Sequence, residues 1–515
     1  MTTEAPADEV YTSRAVAKAF GVMYIARACL ALMSFLLGIF IVRGLTKPQY
    51  ALLHTFLALA VTLNTVTTLG IPAGLGRYVP ELLVEGKKRL VRRLLLLALA
   101  GRLAAVSCGL VLLGLFWARL AASMNVGSHG RMLLWLVASQ LVLSSVNDIA
   151  GKAYLNSTMR QATYQGFRVL GDVARLALCF AIIWRDPRVS YLLGAYVLGT
   201  LIQTVLFARV AVKSLSAAAL GPSLPQDHGL PYGRMARYSS RLYIGTVGSA
   251  VLHRSFDVFL LVFLVSQARV AEYAFCTAFA TQIVAWLPCS MVAGALIPAV
   301  VGKYVGMERG DADRLLGHVF SCTLKVLLWL AVPLFVGGAL LSEEIIRYVY
   351  DPKYVAVSNV FAVAMLFSIA RVASYALDPI IQPKEATHIY MVQAAVSAVK
   401  LVLVFALVPA LGVMGLAVSS GCSYVAVCVA GYLLMARHVR VAVPWPSVLR
   451  ICANAACMAL VVYLARDLIH NLAGLLLVVA LGGVTYLSVS AVNRVLSGHE
   501  RVEVRRALRL PALPL

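Results

Sequence analysis

Basic side chains inside apolar stretches are the residues of this sequence best placed to do chemistry. Of the basic residues within stretches long enough to cross a membrane, five are candidates for a ligand site: Arg27, Arg175, Arg254, Arg371 and Lys400. Three of these, Arg175, Arg254 and Lys400, fall near the middle of a hydrocarbon core about 30 Å thick, where a charge is costly unless it faces a bundle interior or a wet cavity. Guanidinium groups bind phosphate through two parallel hydrogen bonds. The pattern therefore predicts a cationic cavity for an anionic ligand.

Two clusters of mixed charge contain the arginines at mid-depth. In chain order, their members are Arg168, Asp172 and Arg175, then His253, Arg254 and Asp257. In the first cluster, the spacing i, i+4, i+7 puts all three charges on one helix face. In the second, Asp257 follows the histidine by four positions and the arginine by three, so ion pairing within a helix can account for both acids. Because two acids cannot neutralise all of these bases, the interior keeps a net positive charge.

Three further basic residues have a simpler explanation. Arg102, Arg168 and Lys325 lie nearer the predicted cytoplasmic side of the membrane. Their long side chains can reach the interface by snorkelling, or they can pack between helices. We therefore do not assign them to the ligand site.

The elements that must hold these residues are membrane-spanning helices. The chain has 515 residues, of which 61% are hydrophobic and 13% charged, whereas ordinary soluble domains are about 25% charged. We count about 14 apolar windows of about 20 residues each, the length that crosses a bilayer. The sequence predicts an all-α polytopic membrane protein without a separate soluble domain. The ten cysteines fall inside predicted spans and show no metal-binding spacing, so we expect no metal site. The tail MTTEAPADEVYTSRAVAK is polar and the first apolar run lacks a small-x-small cleavage site, so we expect no cleavable signal peptide. We also expect no cofactor.

A linker divides the predicted spans into two lobes. The segment LGPSLPQDHGLPYG is rich in proline and glycine, as linkers are. The predicted organisation is a tail at 1–19, an N-lobe of six spans at 20–209, a linker at 210–242, a C-lobe of six spans at 243–435, two further spans within 436–492 and a basic tail at 493–515.

The two lobes carry matching residues at a nearly constant offset. The offset is about 224 residues, and a parallel repeat of this kind is common in transporters that rock one half against the other. The matched pairs include Tyr50 with Tyr273, Gly86 with Gly310, and Arg175 with Lys400. We interpret the lobes as a duplication related by a pseudo-twofold axis along the membrane normal. Glycines and prolines also interrupt the second span at Gly70 and Pro72 and the eighth at Pro288, Gly294 and Pro298, which suggests a substrate site or a hinge.

The placement of positive charge predicts the topology. The net charge of +23 could indicate nucleic-acid binding, but most of the lysines and arginines fall in the loops on one predicted side of the membrane. The positive-inside rule accounts for such a bias and places both termini in the cytoplasm.

The opening hairpin resembles that of bacterial polysaccharide flippases. These proteins form the O-antigen and exopolysaccharide branch of the multidrug/oligosaccharidyl-lipid/polysaccharide exporter superfamily. The resemblance rests on RGLTKPQY after the first span and LGIPAGLGRYVPE after the second. Its residues are Arg43, Leu45 and Tyr50, then Leu69, Gly70, Arg77, Tyr78, Pro80 and Glu81.

The resemblance implies a lipid-linked substrate and a transport mechanism. The substrate would be a polyprenyl pyrophosphate carrying a short glycan, moved by alternating access from the inner to the outer face of the bacterial inner membrane. Partners would include membrane lipids and the polymerase and glycosyltransferases of the same pathway, without nucleic acid. In this hypothesis Arg27, Arg254 and Arg371 make first contact with the pyrophosphate. Arg175 and Lys400 hold it at mid-depth.

The acids and the histidine receive a separate hypothesis. Asp172, Asp257 and His253 are the candidates for coupling transport to protons or sodium ions. The sequence does not identify the coupling ion, the glycan or the oligomeric state.

Four other functions stay open. A flippase for the lipid-linked peptidoglycan precursor would use similar chemistry. A multidrug cation antiporter would share the architecture but should place acids, rather than arginines, in its cavity. A membrane-embedded glycan polymerase or ligase generally needs a large external loop, which this chain lacks, and a structural scaffold explains the buried charges poorly.

Overall fold

The structure is a computed structural model, and it is entirely helical over the residues that it describes. These are residues 13–495 without 85–86, 125, 127–129, 156–160, 220–231, 288–299, 301–308, 382–387, 438 and 440. No β-strand occurs in this described part. The all-α membrane fold predicted from the sequence is confirmed.

Two compact units make up the chain, Met1–Ala271 and Glu272–Leu515. The helices of the first unit are α1 Ser13–Gly44, α2 Lys47–Val66, α3 Ile71–Val84, α4 Lys88–Ser123, α5 Gly130–Val146, α6 Gln161–Arg185, α7 Val189–Ala219, α8 Tyr232–Leu252, α9 Arg254–Leu261 and α10 Gln267–Trp286, which runs on into the second unit. A π-helix, Asn147–Leu155, continues α5. The lobe boundaries inferred from the sequence stay a prediction.

The second unit continues with six longer helices joined by short helical turns. The helices are α11 Arg309–Leu340, α12 Ser358–Ser374, α13 His388–Leu411, α14 Val413–Ala436, α15 Trp445–Leu464 and α16 Leu472–Asn493. The turns are Ser342–Glu344, Ile345–Tyr350, Pro352–Val357, Tyr375–Leu377, Asp378–Ile381 and Arg466–Leu468. Within this unit α14 packs against α12 and α13, while α11 packs against α12 and α15.

Ten helices of the described part are long and apolar enough to cross a membrane, or eleven if a bent pair counts as one span. The predicted count of about 14 is not confirmed. The helix Gln161–Arg185 is long enough to span, but it is less apolar because Arg168, Asp172 and Arg175 lie on it. Most of the second half of the predicted eighth span, with Pro288, Gly294 and Pro298, lies outside the described residues.

The turn of the opening hairpin shows why its motif has these residues. Thr46 caps α2, and its backbone N–H donates to Oε1 of Gln49 at 3.0 Å, which closes a capping box. Leu45 and Tyr50 are both buried. The motif therefore encodes a helix start with two apolar anchors.

A break separates α2 from α3 at the end of the second predicted span. Leu69 and Gly70 both adopt positive φ, +49° and +68°, a conformation that residues with a side chain rarely take. The glycine and proline signals of the sequence mark this break correctly. The segment after it begins as the helix Ile71–Val84.

A second break falls where no glycine or proline stands. The first predicted span of the C-lobe is bent, because α8 and α9 meet at an angle of 57°. His253 lies between them in an extended conformation, and its imidazole accepts a hydrogen bond from the Ser255 backbone N–H at 3.2 Å. The histidine is thus the N-cap of α9.

Candidate functional site

Arg175 lies in a polar cluster between α6 and α7. Its guanidinium pairs with Asp172 at 3.0 Å, and both side chains are largely buried. The same guanidinium lies over the ring of Tyr196, 4.9 Å from the centroid, a favourable cation–π geometry. The amide of Gln203 donates to Asp172 at 3.3 Å and to the backbone carbonyl of Arg168 at 3.1 Å. The cluster therefore holds Arg175 in place from two helices.

Two glycines let α6 and α7 approach closely enough to build this cluster. A Cβ atom added at Gly171 would lie 2.8 Å from the Gly199 carbonyl oxygen, and one at Gly199 would lie 2.9 Å from the Gly171 carbonyl oxygen. Neither position has room for a side chain. Small residues at helix contacts allow such close packing in membrane proteins.

Arg254 occupies the first turn of α9, directly after the bend. Its Nη2 lies 3.4 Å from Nδ1 of His54 on α2, and the His54 ring packs against Tyr50 with centroids 4.3 Å apart. Helix α9 packs on α2, so the fold places Arg254 beside a histidine of another helix in the same unit that contains Arg175.

The three candidate coupling residues occupy different environments. Asp172 pairs with Arg175, as the helical spacing suggested. Asp257 is almost fully buried in the first turn of α9, whereas His253 is exposed at the bend. Their coupling role stays a prediction.

The second unit contains two of the predicted basic residues. Arg371 lies over the ring of Tyr424, 5.5 Å from the centroid, so helices α12 and α14 hold it in a cation–π contact. Lys400 on α13 is only 1% exposed, and Ser397, almost one turn earlier, is also buried. Arg27 lies on α1, but its side chain is outside the described residues.

A further buried cation lies at the break between α2 and α3. Arg102, on α4, is completely buried and donates to Oγ1 of Thr67 at 3.0 Å, to the Asn64 carbonyl oxygen at 2.8 Å and to Oδ1 of Asn64 at 2.7 Å. Asp148 lies 3.5 Å away and accepts from Asn64 at 3.3 Å. The structure thus places Arg102 in a packed network between helices.

The sequence missed several of the partners in these clusters. His54, Tyr196 and Gln203 each lie in a predicted span, and a polar residue there was the available signal. Only the packing of the helices shows which arginine each one contacts. Within the described part, no group of three or more histidine, cysteine, aspartate and glutamate residues could hold a metal ion.

The arrangement in the first unit can bind an anion. Asp172 and Tyr196 orient the guanidinium of Arg175, and a second guanidinium, that of Arg254, lies beside His54. Planar guanidinium groups recognise phosphate oxygens in a forked geometry. A low-dielectric surrounding strengthens such contacts.

Solved transporter structures share this fold. The structure titled lipid II flippase MurJ, inward closed conformation, superimposes with a TM-score of 0.68 at 14% identity, over 95% of this chain and 100% of that one. An inward-facing multidrug resistance MATE family transporter of the MOP superfamily gives 0.58 at 13% identity, over 80% and 97%. A point mutant of the Vibrio cholerae MATE transporter VcmN gives 0.55 at 13% identity, over 82% and 97%. The sequence matches no protein-family profile and no curated protein.

Proposed function

We propose that this protein is a membrane flippase for a lipid-linked glycan. Its substrate would be a polyprenyl-pyrophosphate-linked oligosaccharide, carried across the bacterial inner membrane for the synthesis of a surface polysaccharide such as O-antigen or exopolysaccharide. The observation that carries the proposal is that the first unit holds two guanidinium groups, that of Arg175 over Tyr196 and that of Arg254 beside His54, in a fold shared with transporters. Pyrophosphate is an anion that such a pair can hold.

The proposed roles of the basic residues follow from their surroundings. Arg254, at the bend between α8 and α9, receives the pyrophosphate, and Arg175 holds it beside Tyr196. Arg27 and Arg371 stay predicted first contacts. Lys400 is buried, so its predicted contact with the substrate requires a state in which α13 exposes it.

Release of the substrate needs a way to weaken these contacts. Asp172 already competes for Arg175, which lowers the attraction of the site for the pyrophosphate. Coupling to protons or sodium ions through Asp172, Asp257 or His253 would change this competition during alternating access. No further cofactor is needed for such a cycle.

A second candidate substrate is the lipid-linked peptidoglycan precursor. The neighbour titled lipid II flippase MurJ favours it, because that structure covers 95% of this chain. Multidrug export has fold neighbours as well, but an organic cation would be repelled by two arginines at the site. Polymerase or ligase activity has no comparable support.

Arg254→Ala is the experiment that tests the site. We expect it to reduce export of the lipid-linked glycan at least about tenfold, because loss of a charge-assisted hydrogen bond costs about 1.5–3 kcal/mol and about 1.4 kcal/mol is a factor of ten. Arg188→Ala is the matched control, since Arg188 is exposed and forms its ion pair with the neighbouring Asp186 at 2.7 Å. Normal export by membrane-inserted Arg254→Ala protein would remove Arg254 from the site.

A deletion strain distinguishes the substrates. If the proposal is correct, lipid-linked glycan accumulates on the inner leaflet and surface polysaccharide is lost. Rescue of a strain depleted of its peptidoglycan-precursor flippase would instead identify the second candidate. Lipid-linked glycan that reaches the outer face without being polymerised would contradict both flippase assignments.

A further inference from the structure

The Arg102 network joins three helical elements at one point. Arg102 comes from α4, Asn64 and Thr67 from the end of α2, and Asp148 from the start of the π-helix after α5. The shortest hydrogen bonds of Arg102 go to the neutral groups, at 2.7–3.0 Å, while Asp148 lies at 3.5 Å. The network therefore ties the last turn of α2 to α4 more tightly than it ties either helix to the π-helix.

The backbone held by this network is strained. Leu69 has a φ of +49°, directly before Gly70 at +68°, and a left-handed residue with a side chain costs about 1–2 kcal/mol. The Thr67 hydroxyl donates back to the Leu63 carbonyl at 2.8 Å. Such strain persists only when the surrounding contacts over-determine the conformation.

A third helix holds the break from its other side. The Tyr243 hydroxyl of α8 donates to the Val66 carbonyl at 2.6 Å. A Cβ atom at Gly70 would overlap the Ser239 carbonyl oxygen, also on α8. The break thus lies between α8 on one side and the arginine of α4 on the other.

The network is not fully satisfied, because the buried Nε of Arg102 has no hydrogen-bond partner among the residues that the structure describes. Beside the network, the buried Oδ1 of Asn147 also has none in this described part, and Asp148 keeps a side-chain exposure of 20%. A π-helix begins at this position, and π-helical turns occur frequently at functional sites. A buried polar network that is only partly satisfied has less energy to lose on rearrangement than a complete one.

We propose that Arg102 is a positioning residue that fixes the break between α2 and α3 and thereby the direction of α3. Arg102 and Asp148 act together as a latch: while the latch is closed, α3 keeps one direction, and opening it frees α3 to turn about Thr67–Gly70. The use of this motion in transport rests on the proposed function. The latch itself rests only on the geometry of the network.

Hydrogen exchange of the purified full-length protein tests the latch. In Asp148→Asn, which leaves a buried guanidinium without an anionic partner, we expect amides of 67–84 to exchange about 10- to 100-fold faster. Arg102→Met removes the cation together with its hydrogen bonds and should also accelerate this exchange. Because the double variant of both positions leaves no buried charge unpaired, its exchange should be slower than that of Asp148→Asn.

Controls separate a local latch from general destabilisation. Arg119→Met changes an exposed arginine of the same helix and should leave exchange at 67–84 unchanged, and exchange in Trp445–Leu464 should stay at the wild-type rate in every variant. The proposal is overturned if Arg102→Met and Asp148→Asn exchange like the wild type at 67–84, or if all helices exchange faster to the same extent. Should Arg102→Met fail to insert, the exchange of Asp148→Asn at 67–84 decides the question alone.

Export measurements then test the use of the latch. Faster exchange at 67–84 together with reduced export supports the use of the latch in transport, whereas faster exchange with normal export overturns that use. Arg254→Ala distinguishes this from a failure of the proposed function. If Arg254→Ala exports normally, the substrate site is wrong, and the exchange result at 67–84 still decides the latch.

Discussion

Gly171→Ala probes the contact that builds the Arg175 cluster. The added Cβ would overlap Cγ of Gln203 and lie 2.8 Å from the Gly199 carbonyl oxygen. The glutamine could swing aside, but only by giving up its hydrogen bonds to Asp172 and to the Arg168 carbonyl. The backbone oxygen of Gly199 cannot move without α7. The substitution must therefore separate the two helices or remove the amide from the cluster.

The structure sets the size of the expected effect. Overpacking a tight contact costs about 1–3 kcal/mol, and the loss of two hydrogen bonds adds about 0.5–1.5 kcal/mol each if Gln203 leaves. An unfolding entropy of about 2.1 cal/mol/K per residue gives about 1 °C per kcal/mol for a chain of 515 residues, so the apparent melting temperature should fall by a few degrees. Gly199→Ala should act similarly, and the double variant should cost less than the sum because the first Cβ already separates the helices.

A matched glycine of the same helix provides the control. Gly166 has no atom within 4 Å of an added Cβ, so Gly166→Ala should leave the melting temperature unchanged or slightly raise it. Thermal unfolding of purified protein at one fixed scan rate makes the comparison, because unfolding that is irreversible gives a melting temperature that depends on the scan rate. If Gly171→Ala and Gly166→Ala have the same melting temperature, the close approach of α6 and α7 is wrong.

Three further predictions concern other contacts. Gly70→Ala should lower the melting temperature because the position has positive φ and faces the Ser239 carbonyl, whereas Gly76→Ala, with open space around the added Cβ, should not. Gly421→Ala should also destabilise, since its Cβ would overlap the Phe367 ring; Gly483→Ala is the control with no neighbour, and equal melting of the pair would contradict the packing of α12 on α14. Arg466 pairs with Glu344 and Glu343, and its hydrogen bond to Glu344 raises the pKa of Arg466. Arg466→Ala should cost about 1 kcal/mol or less, with a smaller difference from wild type at high salt, and a salt-independent loss would show that the charge pairing is not the cause.

The two helix breaks show how far local sequence signals reach. The break before α3 could be predicted from the sequence, because Gly70 and Pro72 stand at it. The backbone preferences of glycine and proline act locally. The bend at His253 has no such residue. An imidazole capping its own downstream helix is one of several conformations open to histidine, and the packing of α9 on α2 selects it.

Arg102 is a charged residue whose surroundings could not be predicted from the sequence. Its position in an apolar stretch allowed snorkelling or packing between helices, and the sequence offered no way to choose. The structure buries it completely because Asn64, Thr67 and Asp148, from two other elements, supply acceptors for its charge. The free energy of burying a charged side chain depends on its partners. Where those partners belong to other helices, the sequence of one helix does not predict it.

The amino-acid sequence by itself determined the all-α membrane class and the positions of charges along each span. Hydrophobic runs and helical spacing are local properties, so even the Asp172–Arg175 pair was visible in them. Only the tertiary structure decided that Tyr196 faces Arg175, that His54 meets Arg254 and that Arg102 holds the break after α2. These contacts join residues far apart in the chain, and the physical reason that they form is the packing of whole helices, which determines which polar groups can satisfy one another away from water.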